Sequence, residues 1–305
     1  YQGHKVIRQN HVGDWGTQFG MLIAYLDSVG TSADDLKDLE IFYQKAKKRF
    51  DEDPDFAEKS RAYVVALQQD QPEVLEKWRA FIEISMSHCG EIYSDLNVTL
   101  RPKDTFGESQ YKGTIPSIME TLAEEGLLTE SNGALCVFLD EFTDKNGEKQ
   151  AVIVQKSDGG YLYATTDLAA IRHRAHELEA DRILYFVDAR QTLHFKQIFA
   201  LARKAGLCTS NLVLGHISNG AILNKAGKPF KTRDGNTVKL ADLIKESRDR
   251  AKEIFLAKNE KADTSRVEEI ANAIGIAAIR YSELSKHRET DYVSDWEKVL
   301  SMEGN

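Results

Sequence analysis

Two short stretches carry residue types that could recognise a small charged molecule. "GGYLYATTDLAA", residues 159–170, brings a phenol, Tyr163, and a carboxylate, Asp167, to the end of what reads as a short aromatic strand. The stretch "VDARQTLHF" closes the next apolar run and delivers Asp188, Arg190, Gln191 and His194. Open α/β sheets place their ligands at the carboxyl ends of strands, so the two stretches point polar groups into one crevice. A carboxylate beside an amide and a phenol suits a small cationic or polar ligand, and one charge-assisted hydrogen bond contributes roughly 1.5–3 kcal/mol. With Thr165 as N-cap, Asp167 falls in the first turn of a helix, where the dipole favours a negative charge. Helix electrostatics alone is the commoner reason for an Asp in that position.

Two other segments are open to a plain and a functional reading. The loop "KAGKPFKTRDG" sets Lys225, Lys228, Lys231 and Arg233 against one acid, Asp234. Such charges solubilise a hairpin tip, or they neutralise charge building on a phosphate. No G-x-x-x-x-G-K-[ST] and no G-x-G-x-x-G after a strand is present, which disfavours a P-loop or a dinucleotide site. Near the start, Asn10, His11, Asp14, Trp15 and Gln18 surround "GDWG". That run is either a tight turn with Trp15 as a packing anchor, or part of a ligand-pocket wall.

These residues must be held by elements, and the hydrophobic period divides the chain into four regions. Residues 1–30 give a strand, "HKVIRQNHV", and a helix in which Phe19, Leu22, Ile23 and Leu26 recur at helical spacing. Residues 31–157 form a largely helical insertion, with Pro54 and Pro72 near helix starts. Two β-like runs, "ALCVFLD" and "AVIVQK", close it around a turn-rich segment. Residues 158–240 alternate strand and helix: "YLYA", "TDLAAIRHRAHELEA", "RILYFVDA", "TLHFKQIFALARKAG" and "NLVLGHI", followed by the basic loop. A β-α-β-α-β series favours a parallel sheet with right-handed crossovers. Residues 241–305 read as helical. The fold class is α/β, a doubly wound sheet with a helical insertion and C-terminal helices.

Composition limits the function. Among 305 residues, 42% are apolar and 29% charged, which is the profile of a soluble globular chain. A net charge of -8 argues against a protein that coats nucleic acid non-specifically. Cys89, Cys136 and Cys208 lie far apart without C-x-x-C spacing, so neither a disulfide framework nor a zinc site is signalled and a reducing cytosol fits. No apolar run approaches the roughly 18 residues of a membrane span, and no leader opens the chain. The missing initiator Met and the interior-looking first strand lead to the expectation of a fragment.

Five blocks carry a resemblance: "NHVGDWGTQFGMLIAYL", "GGYLYATTDLAA", "DARQTLHFKQIF", "GKPFKTRDGNTVKLADL" and "ELSKHRETDYVSDWEKVLSMEGN". In this order they resemble arginyl-tRNA synthetases, class I enzymes with a Rossmann-type parallel sheet, over nearly the whole chain. The resemblance implies activation of L-arginine with ATP and Mg2+, then transfer to tRNA(Arg), in the cytoplasm and without membrane or DNA partners. It implies that Tyr163, Asp167 and Gln191 hold arginine, with Asp167 facing the guanidinium, and that Asp14 and Gln18 line the same pocket. Guanidinium's planar donor fork pairs with a fixed carboxylate better than an ammonium does.

The resemblance also places the basic loop where class I enzymes carry the KMSKS signature. Lys228 and Lys231 would stabilise the pentavalent phosphate transition state, and His216 would stand on the ATP side. This chain departs from the pattern: "KPFKT" lacks the Met-Ser pair, and "SNGAIL" follows His216 in place of an "FGMM"-like run. The ATP-binding HIGH segment and the N- and C-terminal tRNA-binding domains are expected to lie outside this piece, which predicts weak activity or none for it alone. Two rivals stand beside the synthetase: a non-catalytic tRNA- or partner-binding paralogue or fragment, and another nucleotidyl-transferring enzyme of the same fold.

Overall fold

The computed structural model describes residues 2–30, 39–223, 227, 240–259 and 263–293. They divide into two compact units, one of residues 1–85, 100–185 and 190–217, the other of residues 86–99, 186–189 and 218–305.

The first unit begins with extended chain. The expected strand "HKVIRQNHV" forms no ladder of its own, only a parallel bridge between Asn10 and Thr105. Backbone bonds Asn10 N–H to Asp104 O (2.7 Å), Phe106 N–H to Asn10 O (3.0 Å) and Glu108 N–H to Val12 O (3.1 Å) lay it along residues 104–108. β-branched residues supply propensity for a strand, but a strand needs a partner along its length.

Helices follow: α1 (Thr17–Val29), α2 (Leu39–Glu52), α3 (Pro54–Gln68) and α4 (Pro72–Asp95). Asp53 caps α3 by accepting from Phe56 N–H at 3.0 Å, with Pro54 pre-set for the first helical position. Tyr25 meets Phe42 edge-on with centroids 4.9 Å apart, and Phe42 meets Phe81 at 5.8 Å, so aromatic rings fill the space between the helices. Gly20 allows α1 to approach α3: a Cβ there would lie 2.3 Å from Ser60 O.

Beyond a 3-10 turn at Glu108–Thr114 come α5 (Ile115–Glu124) and an antiparallel sheet in the order β1 (Thr129–Ser131), β2 (Ala134–Thr143), β3 (Lys149–Gln155). Asn132 and Gly133, at φ 52° and 77°, make the two-residue turn between β1 and β2, the left-handed pair that matches strand twist.

The segment "YLYA" corrects the sequence reading. Tyr161 makes one bridge to Gln155, and helix α6 (Tyr163–His176) starts at Tyr163 itself. Thr165 is therefore inside the helix, not its N-cap, and its hydroxyl donates to Val154 O, tying α6 to β3. Asp167 consequently lies in the second turn, so the helix dipole does not account for its position. Every residue from Ala164 to Ile171 is buried, which is why small residues dominate there.

Then follow β4 (Arg182–Asp188), α7 (Thr192–Lys204) and β5 (Val213–Asn219), with β4 beside β5. Ile183 and Tyr185 are buried while Leu184 is exposed, the alternation of a strand covered on one face. The first unit has the α/β character that the sequence led one to expect, with helices outnumbering strands.

In the second unit, α8 (Leu240–Lys258) and α9 (Thr264–Leu284) pair through Leu243, Ile244, Ile276 and Ile279, and Ile92 near the end of α4 and Leu96 just beyond it pack on them. A short parallel pair, β6 (Ile222–Leu223) with β7 (Tyr292–Val293), completes it.

Candidate functional site

A cluster of carboxylates and imidazoles forms in the first unit around Asp167. The residue is 7% exposed, and Oδ2 stands 2.7 Å from Nε2 of His194 at the start of α7. The other oxygen, Oδ1, lies 3.8 Å from Nε2 of His11. Tyr163, one turn earlier on α6 and 59% exposed, sets its ring edge-on to His194 with centroids 4.7 Å apart. A fixed, nearly dry carboxylate with an exposed phenol at its edge is suited to a planar cation that enters past the ring.

The carboxylate that sequence reasoning missed is Glu108, the first residue of the 3-10 turn. Burial, aided by the charges of Asp167 and Asp14, pushes it up to about 7. Burial and the two neighbouring anions both disfavour its charged form, which a cation placed beside it would favour. Glu108 sits in no periodic segment; the signal that could have found it is an acid beside a glycine in a loop long enough to fold back on the site.

Asp14 is brought close but is engaged by the protein. Oδ1 accepts from Ser109 N–H at 2.8 Å and Oδ2 from Ser109 Oγ at 2.6 Å, while its backbone carbonyl accepts from Trp78 Nε1 at 2.6 Å. Gly107 is required by this arrangement, because a Cβ there would lie 2.2 Å from Asp14 Oδ2. Trp15 is buried beside it. The "GDWG" run is thus a packed turn that staples the entering chain to the 3-10 turn carrying Glu108.

Burial holds the His11 imidazole below its ordinary value, opposed by the charge of Asp167 and reinforced by Arg174. Arg174, on the last turn of α6, is 8% exposed. Its Nε donates to Gln9 Oε1 at 2.7 Å, and its guanidinium lies 5.1 Å from the centre of the Tyr185 ring. Burial raises Tyr111, whose hydroxyl accepts from Arg174 at 3.5 Å.

The remaining expected residues are placed less centrally. Gln191 is exposed in the 3-10 turn Ala189–Gln191 that leads into α7, and Gln18 is exposed in the first turn of α1. His216 stands within β5, stacked on Phe195 at 4.9 Å. Phe195 in turn meets His194, with centroids 5.2 Å apart. Lys228 and Lys231 lie outside the described residues. Among the described residues no set of three or more His, Cys, Asp or Glu is spaced to hold a metal ion, and no helix is long and apolar enough to cross a membrane.

With this geometry in hand, the comparisons with known proteins are specific. The model of the family described as tRNA synthetases class I (R), catalytic domain, matches residues 1–296. An arginine–tRNA ligase of Stutzerimonas stutzeri (strain A1501) is 53% identical over 306 residues, which cover 100% of this chain and 53% of the relative. One from Hahella chejuensis (strain KCTC 2396) is 51% identical over 310 residues, covering 100% of this chain and 54% of the relative. The chain thus spans about half the length of the curated relatives it matches.

Among solved structures, the arginyl-tRNA synthetase of Plasmodium falciparum superposes with a TM-score of 0.76 at 31% identity, over 97% of this chain and 48% of that one. The Thermus thermophilus arginyl-tRNA synthetase, at 19% identity and a TM-score of 0.71 over 99% of this chain and 55% of that one, supports the fold. The chain belongs to the class I tRNA synthetases, in the catalytic-domain family designated (R).

Proposed function

We propose that this chain is the arginine-activating core of an arginine–tRNA ligase. In that reaction the α-carboxylate of L-arginine attacks the α-phosphorus of ATP, releasing pyrophosphate and forming arginyl-adenylate. A hydroxyl of the terminal adenosine of tRNA(Arg) then takes the arginyl group and releases AMP. The observation that carries the reading is the buried Asp167 carboxylate, bracketed by His194 and His11, with Glu108 electrostatically coupled to it and Tyr163 at the edge.

Each part has a role in this reading. Asp167 accepts from the substrate guanidinium, and His194 keeps the carboxylate from rotating. Glu108 gives up its proton as the cation docks, so that two negative charges face a delocalised positive one. Tyr163 covers the ligand, and Gln191, Gln18 and Asp14 belong to the same wall. Lys228 and Lys231 neutralise charge on the transferred phosphate, with His216 on the ATP side. Mg2+ enters with the ATP phosphates and belongs to the substrate complex. A cytoplasmic location goes with this assignment.

The test is tRNA-dependent charging of arginine by the full reading frame around this chain, run beside its Asp167→Asn variant with lysine and citrulline as competitors. Charging that collapses in the variant supports the reading. Binding of tRNA without charging of arginine overturns it in favour of a non-catalytic RNA-binding role.

A further inference from the structure

Arg174 is a buried cation whose neighbours are neutral. Its donors go to the Gln9 amide oxygen at 2.7 Å, to the Tyr111 hydroxyl at 3.5 Å and to Nδ1 of His11 at 3.5 Å. Among the described residues no carboxylate forms an ion pair with it directly. Burying a guanidinium without an adjacent anion is costly, so its placement calls for an explanation beyond packing. That explanation lies across the His11 ring, where Nε2 faces Asp167 Oδ1.

A guanidinium has only donors and does not deprotonate in proteins. The nitrogen it faces must therefore accept, and in a neutral imidazole the proton is then on the other nitrogen. We propose that Arg174 is a positioning residue: it fixes the proton of His11 on Nε2, so that His11 presents an N–H toward Asp167 and restrains the carboxylate opposite His194. This rests on the reading of Asp167 as the arginine-facing group. It deepens that reading by adding a support that never touches the substrate. The chain Arg174, His11, Asp167 passes electrostatic stabilisation to the carboxylate through a neutral ring, and each Asp167 oxygen keeps a second lone pair for an incoming cation.

The surroundings of His11 agree with a neutral ring. Burial lowers its proton affinity, Arg174 lowers it further, and the opposing influences are Asp167, Asp14 and the Phe106 carbonyl. With Nδ1 committed to accepting from Arg174, Nε2 is the nitrogen left to serve Asp167.

The test is the tautomer of His11, read by long-range proton–nitrogen correlation on the chain labelled with 15N-histidine and assigned by comparison with His11→Gln. The expected result is a single Nε2–H tautomer, which becomes a mixture of both tautomers in Arg174→Met. A proton on Nδ1 or an averaged mixture in the parent overturns the proposal, as does an unchanged single tautomer in the variant. If Arg174→Met does not fold, the parent spectrum alone decides. In the full reading frame around this chain, arginine affinity measured by equilibrium dialysis is expected to fall roughly tenfold in Arg174→Met with ATP affinity unaltered. Equal arginine affinity in parent and variant overturns the positioning role. A parent that shows the Nε2–H tautomer yet binds no arginine overturns the arginine reading while supporting the proton assignment.

Discussion

His194 and Asp167 are joined across two successive helices by a 2.7 Å contact between Nε2 and Oδ2. The bond ties the start of α7 to the second turn of α6, so the orientation of the carboxylate is set by packing and not by solvent.

Replacing that carboxylate by its amide separates charge from shape. Asp167→Asn keeps a partner for His194 and removes the anion, so arginine affinity is expected to fall about 10- to 100-fold, the equivalent of roughly 1.5–3 kcal/mol. Thermal unfolding should shift by only a few degrees, on the order expected for about 1 kcal/mol. Isothermal titration with arginine and a melting curve on the same samples check both statements.

Glu108 ties stability to pH. Its proton affinity is raised from the ordinary 4.5 to about 7. Between those values the folded chain holds more protons than the unfolded one, so this group's contribution to stability declines as pH rises through that window. Glu108→Gln removes the ionisation. Urea unfolding is expected to show the variant more stable than the parent by about 2 kcal/mol at pH 8, with near parity at pH 4.5.

Ser109 holds Asp14 by a hydroxyl and a backbone N–H. Ser109→Ala leaves Oδ2 without its donor while the N–H bond persists, and a loss of about 1–2 kcal/mol is expected in denaturant unfolding. An unchanged midpoint would show that water replaces the hydroxyl.

Gly20→Ala tests the approach of α1 to α3. A methyl 2.3 Å from Ser60 O cannot be accommodated by a side-chain rotation, so the helices must separate. Destabilisation of about 1–3 kcal/mol or more is expected, together with a lower melting temperature by circular dichroism.

Much of the scaffold was legible because its signals are local. The helices beginning at Pro54 and Pro72, the strands at "ALCVFLD" and "RILYFVDA", and the helix "TLHFKQIFALARK" follow from period and punctuation. The segments "HKVIRQNHV" and "YLYA" were misjudged because strand propensity says nothing about whether a neighbouring backbone is there to pair. At Tyr163 the chain had already turned into a helix. The three residues of β1 were hidden by their brevity, although Asn132-Gly133 marks the turn that creates it.

The site divides in the same way. Asp167, Tyr163 and His194 fall near each other in sequence blocks that polar residues at apolar run ends make visible. Glu108 reaches them from a distant position through tertiary packing and Arg174 from two turns further along α6, and an acid in a loop or a base in a helix carries no local mark of such a role.

The contact between Gly107 and Asp14 has a consequence for inheritance. With less than van der Waals room between the two, a side chain can appear at position 107 only if the carboxylate at 14 is shortened or lost, and with it the hold on Ser109. The two positions are more than ninety residues apart in the chain, and any lineage that carries a side chain at 107 is expected to carry a shorter residue than Asp at 14.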